Sequence, residues 1–266
     1  MRRTRAIALA GLCVLIVCGQ AAGVTLRYQF KPGQVRKYKT MMTGAGEMSG
    51  VTGEPVRIVI QSSSVTKQEV LEVAEDGTAT VEAQVIEGEM KMNMGGMEQT
   101  MPFPNAKTTM KITPRGKATV EKAEGVPTGP GMEFDLSNVM GGIEFPEKDL
   151  KEGDSWSGQT KMTLPMLGDT VIKFTEKFKG TKTVMGRECA LIDYTFEAPV
   201  AMDLQMMKAT GKVAGSGTMY FDAKNGMDVQ TTGQFISVMR MTMTFGEQSV
   251  ETKQTMKMNI KHVLVE

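Results

Sequence analysis

Histidine, tryptophan and cysteine are nearly absent from this chain: its 266 residues include one His, one Trp and three Cys, and aromatics make up 6%. Each scarcity removes a class of chemistry. His262 has no serine or cysteine motif to serve, and no Gly-x-Ser-x-Gly elbow occurs. Gly215-Ser216-Gly217 runs into alternating sequence rather than the helix that a phosphate loop or nucleotide fingerprint requires. The Asp and Glu residues fall at positions that read as solvated strand faces, so no glycosidase pair stands out. The expectation is a protein that is not an enzyme and uses no cofactor.

A disulfide framework is also missing. Cys13 and Cys18 lie in the N-terminal leader, which leaves Cys189 without a partner inside the body of the chain. Stability must then come from a core, and about 240 residues after the leader suffice for one large or two small β domains. Charge of one sign is lacking as well: 31 Lys and Arg against 30 Asp and Glu give a formal net charge of +1. Spread evenly along the sequence, these charges give no footprint for nucleic acid or an acidic membrane.

Only one long apolar run is present, Ala6 to Cys18, and it is shorter than the roughly 20 residues a spanning helix needs. Arg2, Arg3 and Arg5 precede it, and the small residues Gly19, Ala21, Ala22 and Gly23 follow, which is the layout of a signal peptide. Residues 1–23 are therefore read as a leader cleaved before Val24, and the mature chain as secreted or periplasmic with no transmembrane segment. In the alternative, Cys18 would be a lipid-anchored first residue, although Val17 stands where such signals carry a small side chain.

What is abundant is period-two alternation. Met227, Val229, Phe235, Met239, Met241, Met243 and Phe245 share one parity, opposite Asp228, Gln230, Thr232, Gln234, Arg240, Thr242 and Thr244, so this stretch reads as a long strand with one buried face. Gly246-Glu247 suits a two-residue turn that pairs Phe245 with Gln248 and returns through Val250, Met256, Met258, Ile260 and Leu264. Upstream, Val56, Ile58 and Ile60, then Val65, Leu71 and Val73, lead to a turn at Asp76-Gly77 and on to Ala79, Val81, Ala83 and Val85. Parity then slips to Ile86, Met90, Met92 and Met94, which predicts a β-bulge between Val85 and Glu87.

Further strands are expected through Ile172, Phe174 and Phe178, through Ala190, Ile192, Tyr194 and Phe196, and through Val213, Met219 and Phe221, with turns at Met185-Gly186-Arg187 and at Asn225-Gly226. Residues 201–209 are read as strand. The fold class is mainly β: one or more long curved antiparallel sheets forming a half-barrel or two related β subdomains, with at most short helices. Residues 24–120 and 155–266 form the two β halves, and a Pro- and Gly-rich connector with a short helix near Asp135 to Met140 occupies 121–154. Met110 to Gly116 and Met219 to Gly226 are alike enough to suggest an internal duplication.

The segment Phe145-Pro146-Glu147-Lys148-Asp149-Leu150-Lys151-Glu152-Gly153-Asp154-Ser155-Trp156, with Leu26 to Gly33 and Gly217 to Gly226, resembles an uncharacterised family of secreted bacterial β-rich proteins. More remotely it is similar to the half-barrel superfamily of bacterial lipoprotein carriers, in which a curved sheet holds an acyl chain beneath a lid. The resemblance implies export, a β-rich fold and an apolar ligand, while helices long enough to serve as that lid are not evident.

The most unusual feature is 25 methionines. Met90, Met92 and Met94, Met239, Met241 and Met243, and Met256 and Met258 are spaced so that each set points to one face of a strand. Methionine fills cores flexibly, and thioethers also repack around varied partners. These eight residues are the candidate contacts for a lipid, lipoprotein or other apolar ligand, with an envelope protein as the alternative partner. A Cu(I) site would use Met256, Met258 and His262, since thioethers are soft ligands. The methionines from Met94 to Met101 are expected to fold back over a hairpin end, Asp154 to make the turn before a strand, and Trp156 to anchor in the core.

Intact-mass measurement of the exported protein is expected to give a chain beginning at Val24. A mature chain beginning with acylated Cys18 would replace that reading.

Overall fold

The computed structural model describes residues 23–50, 53–103, 105–125, 144–164, 168–204, 207–245 and 248–265. The leader, the short helix expected near Asp135 to Met140 and the turn at Gly246-Glu247 lie outside them. Twelve strands account for most of the rest: β1 (Val35–Ser49), β2 (Val56–Val73), β3 (Ala79–Met94), β4 (Met97–Pro102), β5 (Lys107–Ile112) and β6 (Ala118–Glu124) in one half, and β7 (Ser155–Leu164), β8 (Gly168–Val184), β9 (Arg187–Leu204), β10 (Met207–Asp222), β11 (Met227–Phe245) and β12 (Gln248–Leu264) in the other. No helix among the described residues is long and apolar enough to cross a membrane.

All twelve strands belong to one antiparallel sheet in the order β6-β5-β3-β2-β1-β12-β11-β10-β9-β8-β7, with β4 pairing β3 off that path. The sheet does not close into a barrel, so the expected half-barrel is realised as one continuous sheet with β6 and β7 at its edges. Local chemistry sets each reversal. Asp76 accepts a hydrogen bond from the Thr78 amide at the β2–β3 turn. Met185 and Gly186, with φ of 51° and 74°, make the two-residue reversal between β8 and β9, where both central residues need positive φ.

The two predictions of register hold. Phe245 pairs with Gln248, bringing the apolar faces of β11 and β12 together. In β3, Val65 opposes Glu87 while Thr66 opposes Val85, which leaves Ile86 as the extra residue of a bulge. A second shift between Val70 and Glu72 corrects the expectation for Leu71: it is the bulged residue, 47% exposed, while Val70 turns inward at 4%. The β3–β4 hairpin also departs from expectation. Met94 and Met101 are partly buried, but Met97 is 72% exposed beside the Gly95-Gly96 turn and does not fold back.

Apolar packing concentrates at one end of the sheet's inner face. There the segment from Val24 to Gln34 runs across the strand ends, and residues 144–154 return beside it. Leu26, Phe145 and Leu150 pack on Phe178, Ile192, Met219 and Phe221, with Trp156 at the margin. Backbone hydrogen bonds hold the segment to two turns, from the Tyr28 amide to the Pro114 carbonyl and from the Gln29 amide to the Gly226 carbonyl. These two turns are the ones whose sequences suggested duplication. Residues 118–124, partly assigned to the connector, are β6, and Asp154 accepts a hydrogen bond from the Lys151 amide in the turn that launches β7.

Over the rest of the inner face, the contacts among the described residues come from the sheet itself. Side chains lie flat across glycines of neighbouring strands: a Cβ on Gly215 would stand 2.6 Å from the Phe196 ring and 2.7 Å from Phe235, one on Gly217 2.4 Å from the Tyr194 hydroxyl, one on Gly158 2.5 Å from Phe174, and one on Gly44 2.8 Å from Met258. The glycines are empty sites that these side chains fill. Gly215→Val is accordingly expected to cost roughly 1–3 kcal/mol, read as a lower thermal midpoint, because the added atoms crowd the Phe196 ring and the Gln234 carbonyl oxygen, both 2.6 Å from a Cβ there. Adding Phe196→Ala should make room and recover part of that loss; strict additivity of the two changes would contradict the contact.

Candidate functional site

Register defines rows across the inner face. One row runs Met92, Ile60, Gly44, Met258, Phe235, Gly215, Phe196, Phe174 and Gly158, from β3 to β7. The row beside it, toward the packed end, runs Met90, Ser62, Met42, Ile260, Gly233, Gly217, Tyr194, Glu176 and Trp156. Buried positions bound the two rows. On the packed side stand Phe178, Ile192 and Met219, in a row that continues through the partly buried Thr231, His262, Thr40 and Ser64, and on the other side Ile58, Met256, Ser237 and Ala198. Between these limits Phe174, Phe196, Phe235, Met258, Ile260, Met42, Ile60 and Met92 are all only partly buried, so the face carries a continuous apolar belt.

The predicted contact residues fall on this face, though not all in the belt. Met90, Met92 and Met258 belong to it. Met94 and Met256 lie one row beyond, Met256 buried and accepting a hydrogen bond from the Gln254 side chain at 3.2 Å. Met239 packs against Gly211 farther on, with Met241 next, while the side chain of Met243 lies outside the described set. His262 is separated from Met258 by Ile260, and strand geometry sets their Cα atoms about 13 Å apart. Its Nδ1 is hydrogen-bonded to the Thr40 hydroxyl at 2.8 Å, its ring stacks on Tyr38 with centroids 4.7 Å apart, and burial pushes its pKa down. The structure thus engages His262 with Thr40 and Tyr38 rather than with the two methionines.

Sequence reading missed the aromatic part of the belt as a contact surface, and it missed two shielded carboxylates. Glu176 was passed over between Phe174 and Phe178, although parity puts all three on one face. It is fully buried, neither carboxylate oxygen has a hydrogen-bond partner among the described residues, and burial pushes its pKa up to about 8. The indole N–H of Trp156, on the directly paired residue of β7, is also buried without a partner among them. Trp156, expected as a core anchor, is partly buried and packs against the margin of the cluster.

Asp228 was assigned to the wetted face of β11. A register shift between Tyr220 and Phe221 disturbs the pairing there, and Tyr28 of the N-terminal segment donates its hydroxyl to both Asp228 oxygens at 3.2 and 3.0 Å. Burial raises the Asp228 pKa to about 6 against the opposing pulls of Tyr28 and Arg36. At the packed end a cavity of about 730 Å³ is lined by Val24, Met185, Arg187, Asp222 and Asn225 among others. Asp222 is tied there to Arg187 at 3.0 Å and to the Asn225 amide groups, which makes it a turn-stabilising carboxylate. Cys189 is a buried free thiol whose pKa is pushed up by burial, which disfavours the reactive thiolate.

No family model matches the chain, and no curated protein does. Among solved structures, the crystal structure of Pseudomonas aeruginosa OpdQ is similar at 5% identity and a TM-score of 0.24, over 88% of this chain and 100% of that one, a likeness too loose to carry an argument.

Glu176 gives this site a testable pH dependence. Its folded pKa, about 8, is above the ordinary 4.5, so its favourable contribution is complete below 4.5 and is lost as pH rises through 8. Asp228 acts in the same direction around pH 6. Glu176→Gln should flatten the decline in thermal midpoint between about pH 5 and pH 8 and leave the variant on the order of a few kcal/mol more stable than the parent at the alkaline end. Parallel pH profiles for the two proteins would refute the buried, unpartnered carboxyl.

Proposed function

We propose that the chain is an exported, non-catalytic protein of the cell envelope or surroundings that binds an apolar or amphipathic ligand along the inner-face belt. The observation that carries this reading is the belt itself: large apolar side chains from several strands, partly exposed, lie side by side across the inner face. Contiguous exposed apolar surface favours a partner, and unbranched Met side chains resting on glycines can shift to fit ligands of different shape. The signal-like leader and the resemblance to half-barrel lipoprotein carriers point the same way.

Native mass spectrometry of the protein purified without detergent from its own host is expected to show lipid-sized adducts. Titration with a fluorescent fatty-acyl probe should saturate for the parent chain and weaken roughly tenfold or more for Phe235→Lys, which sets a charge in the middle of the belt. A parent chain that carries no adduct and takes up no probe would leave the methionines as core filler and the proposal without support.

A further inference from the structure

The opposite face of the sheet carries a second arrangement, independent of the inner belt. On β11, Ile236 is 45% exposed and Val238 is 39% exposed, at consecutive outward positions. Register surrounds this pair with cations. Lys257 of β12 lies directly beside Ile236, Lys212 of β10 directly beside Val238, and Arg240 follows Val238 on the same strand with Lys253 beside it. All four cations are exposed. Ala214 completes the apolar floor of a depression of about 690 Å³ between β10 and β11, flanked by Lys212 and Arg240.

Strand order, which the sequence does not display, brings these four cations side by side on the outer face. Lys212 is paired with Glu197 at 2.6 Å, while Arg240, Lys253 and Lys257 have no ion pair among the described residues. Three exposed acids share the face: Glu197 beside Ala214, Glu47 beside Thr255, and Glu251 at the next outward position from Lys253, so the four cations exceed the neighbouring acids by one. Neighbouring strands are about 4.8 Å apart and successive outward residues about 6.7 Å, so the four cations bracket an area comparable to a few lipid headgroups.

We propose that this central outer face of β10, β11 and β12 is a docking surface for an anionic lipid bilayer. Charge complementarity selects the partner: lipid phosphates can rearrange around long, mobile cations, while Ile236 and Val238 reach the interfacial region. An added peptide strand is excluded at this place, because β10, β11 and β12 are all internal and their backbone groups are used by neighbours.

Flotation of the full exported chain with vesicles of phosphatidylcholine alone, and with phosphatidylglycerol added, tests this. Binding is expected only with phosphatidylglycerol and should fade as salt rises. The double variant Lys253→Glu/Lys257→Glu should weaken it at least roughly tenfold, and Ile236→Ser/Val238→Ser should weaken it without changing the salt dependence. The control Lys111→Glu/Lys122→Glu, at the β5–β6 edge, makes the same change in net charge and should bind as the parent does. Unchanged near-UV circular dichroism establishes that each variant is folded. Failure of the folded parent to bind, equal binding to both vesicle types, or equal loss in the edge control would overturn the proposal. The acyl-probe titration reads the inner face separately, so either surface can fail alone.

Discussion

Everything in this molecule follows from a sheet that has to cover its own inner face. At one end Leu26, Phe145 and Leu150 supply a second layer, and conventional apolar packing results. Elsewhere Phe174, Phe196, Tyr194 and Met258 lie down across Gly158, Gly215, Gly217 and Gly44 instead of standing upright. A glycine in a strand ordinarily weakens it, by offering no side chain to pack. Here the missing side chain is replaced by one from the adjacent strand, which adds contact across the pairing and removes part of a large ring from water. The result, among the described residues, is a thin layer of partly buried side chains.

That arrangement also separates two kinds of polar group. Tyr28 and Asp228 join the N-terminal segment to β11 and satisfy each other. Glu176 and Trp156 stand at the boundary between the packed end and the self-covered region, and their buried polar atoms have no partner among the described residues. An unsatisfied buried group costs about 1–3 kcal/mol, so its presence needs stability from elsewhere in the fold. The packed end is the nearest source, since Phe178, two residues from Glu176, is part of the same cluster.

Much of the architecture could be read from the sequence because period-two parity is a local signal. The extents of β11 and its hairpin with β12, the bulge at Ile86 and the turns near Gly77, Gly186 and Gly226 all came from parity and turn chemistry. Leu71 was misplaced because a bulge in β2 reverses parity without a glycine or proline to announce it. Glu176 and Asp228 were misread for a different reason: composition suggests that carboxylates face water, and only the neighbouring residues in space show otherwise. The methionine face was visible as separate stripes, but joining β3 to β12 and β11 required the order of strands. Parity within a strand does not reveal which strand lies beside it.

That order has one further consequence. β1 lies between β2 and β12, so the first strand of the described fold is paired along most of its length with the last, from Tyr38 with Leu264 to Ser49 with Lys253. The middle of the sheet, rather than an edge, is where the first and last of the described strands meet. While the chain emerges vectorially, β1 can acquire β2 at once, but its other side stays open until the final seventeen residues of strand arrive. Contacts of such long sequence separation form slowly and leave unpaired edges exposed in the interval. A chain of this topology is thus completed from its centre at the last moment, and loss of its C-terminal strand would divide the sheet into two halves.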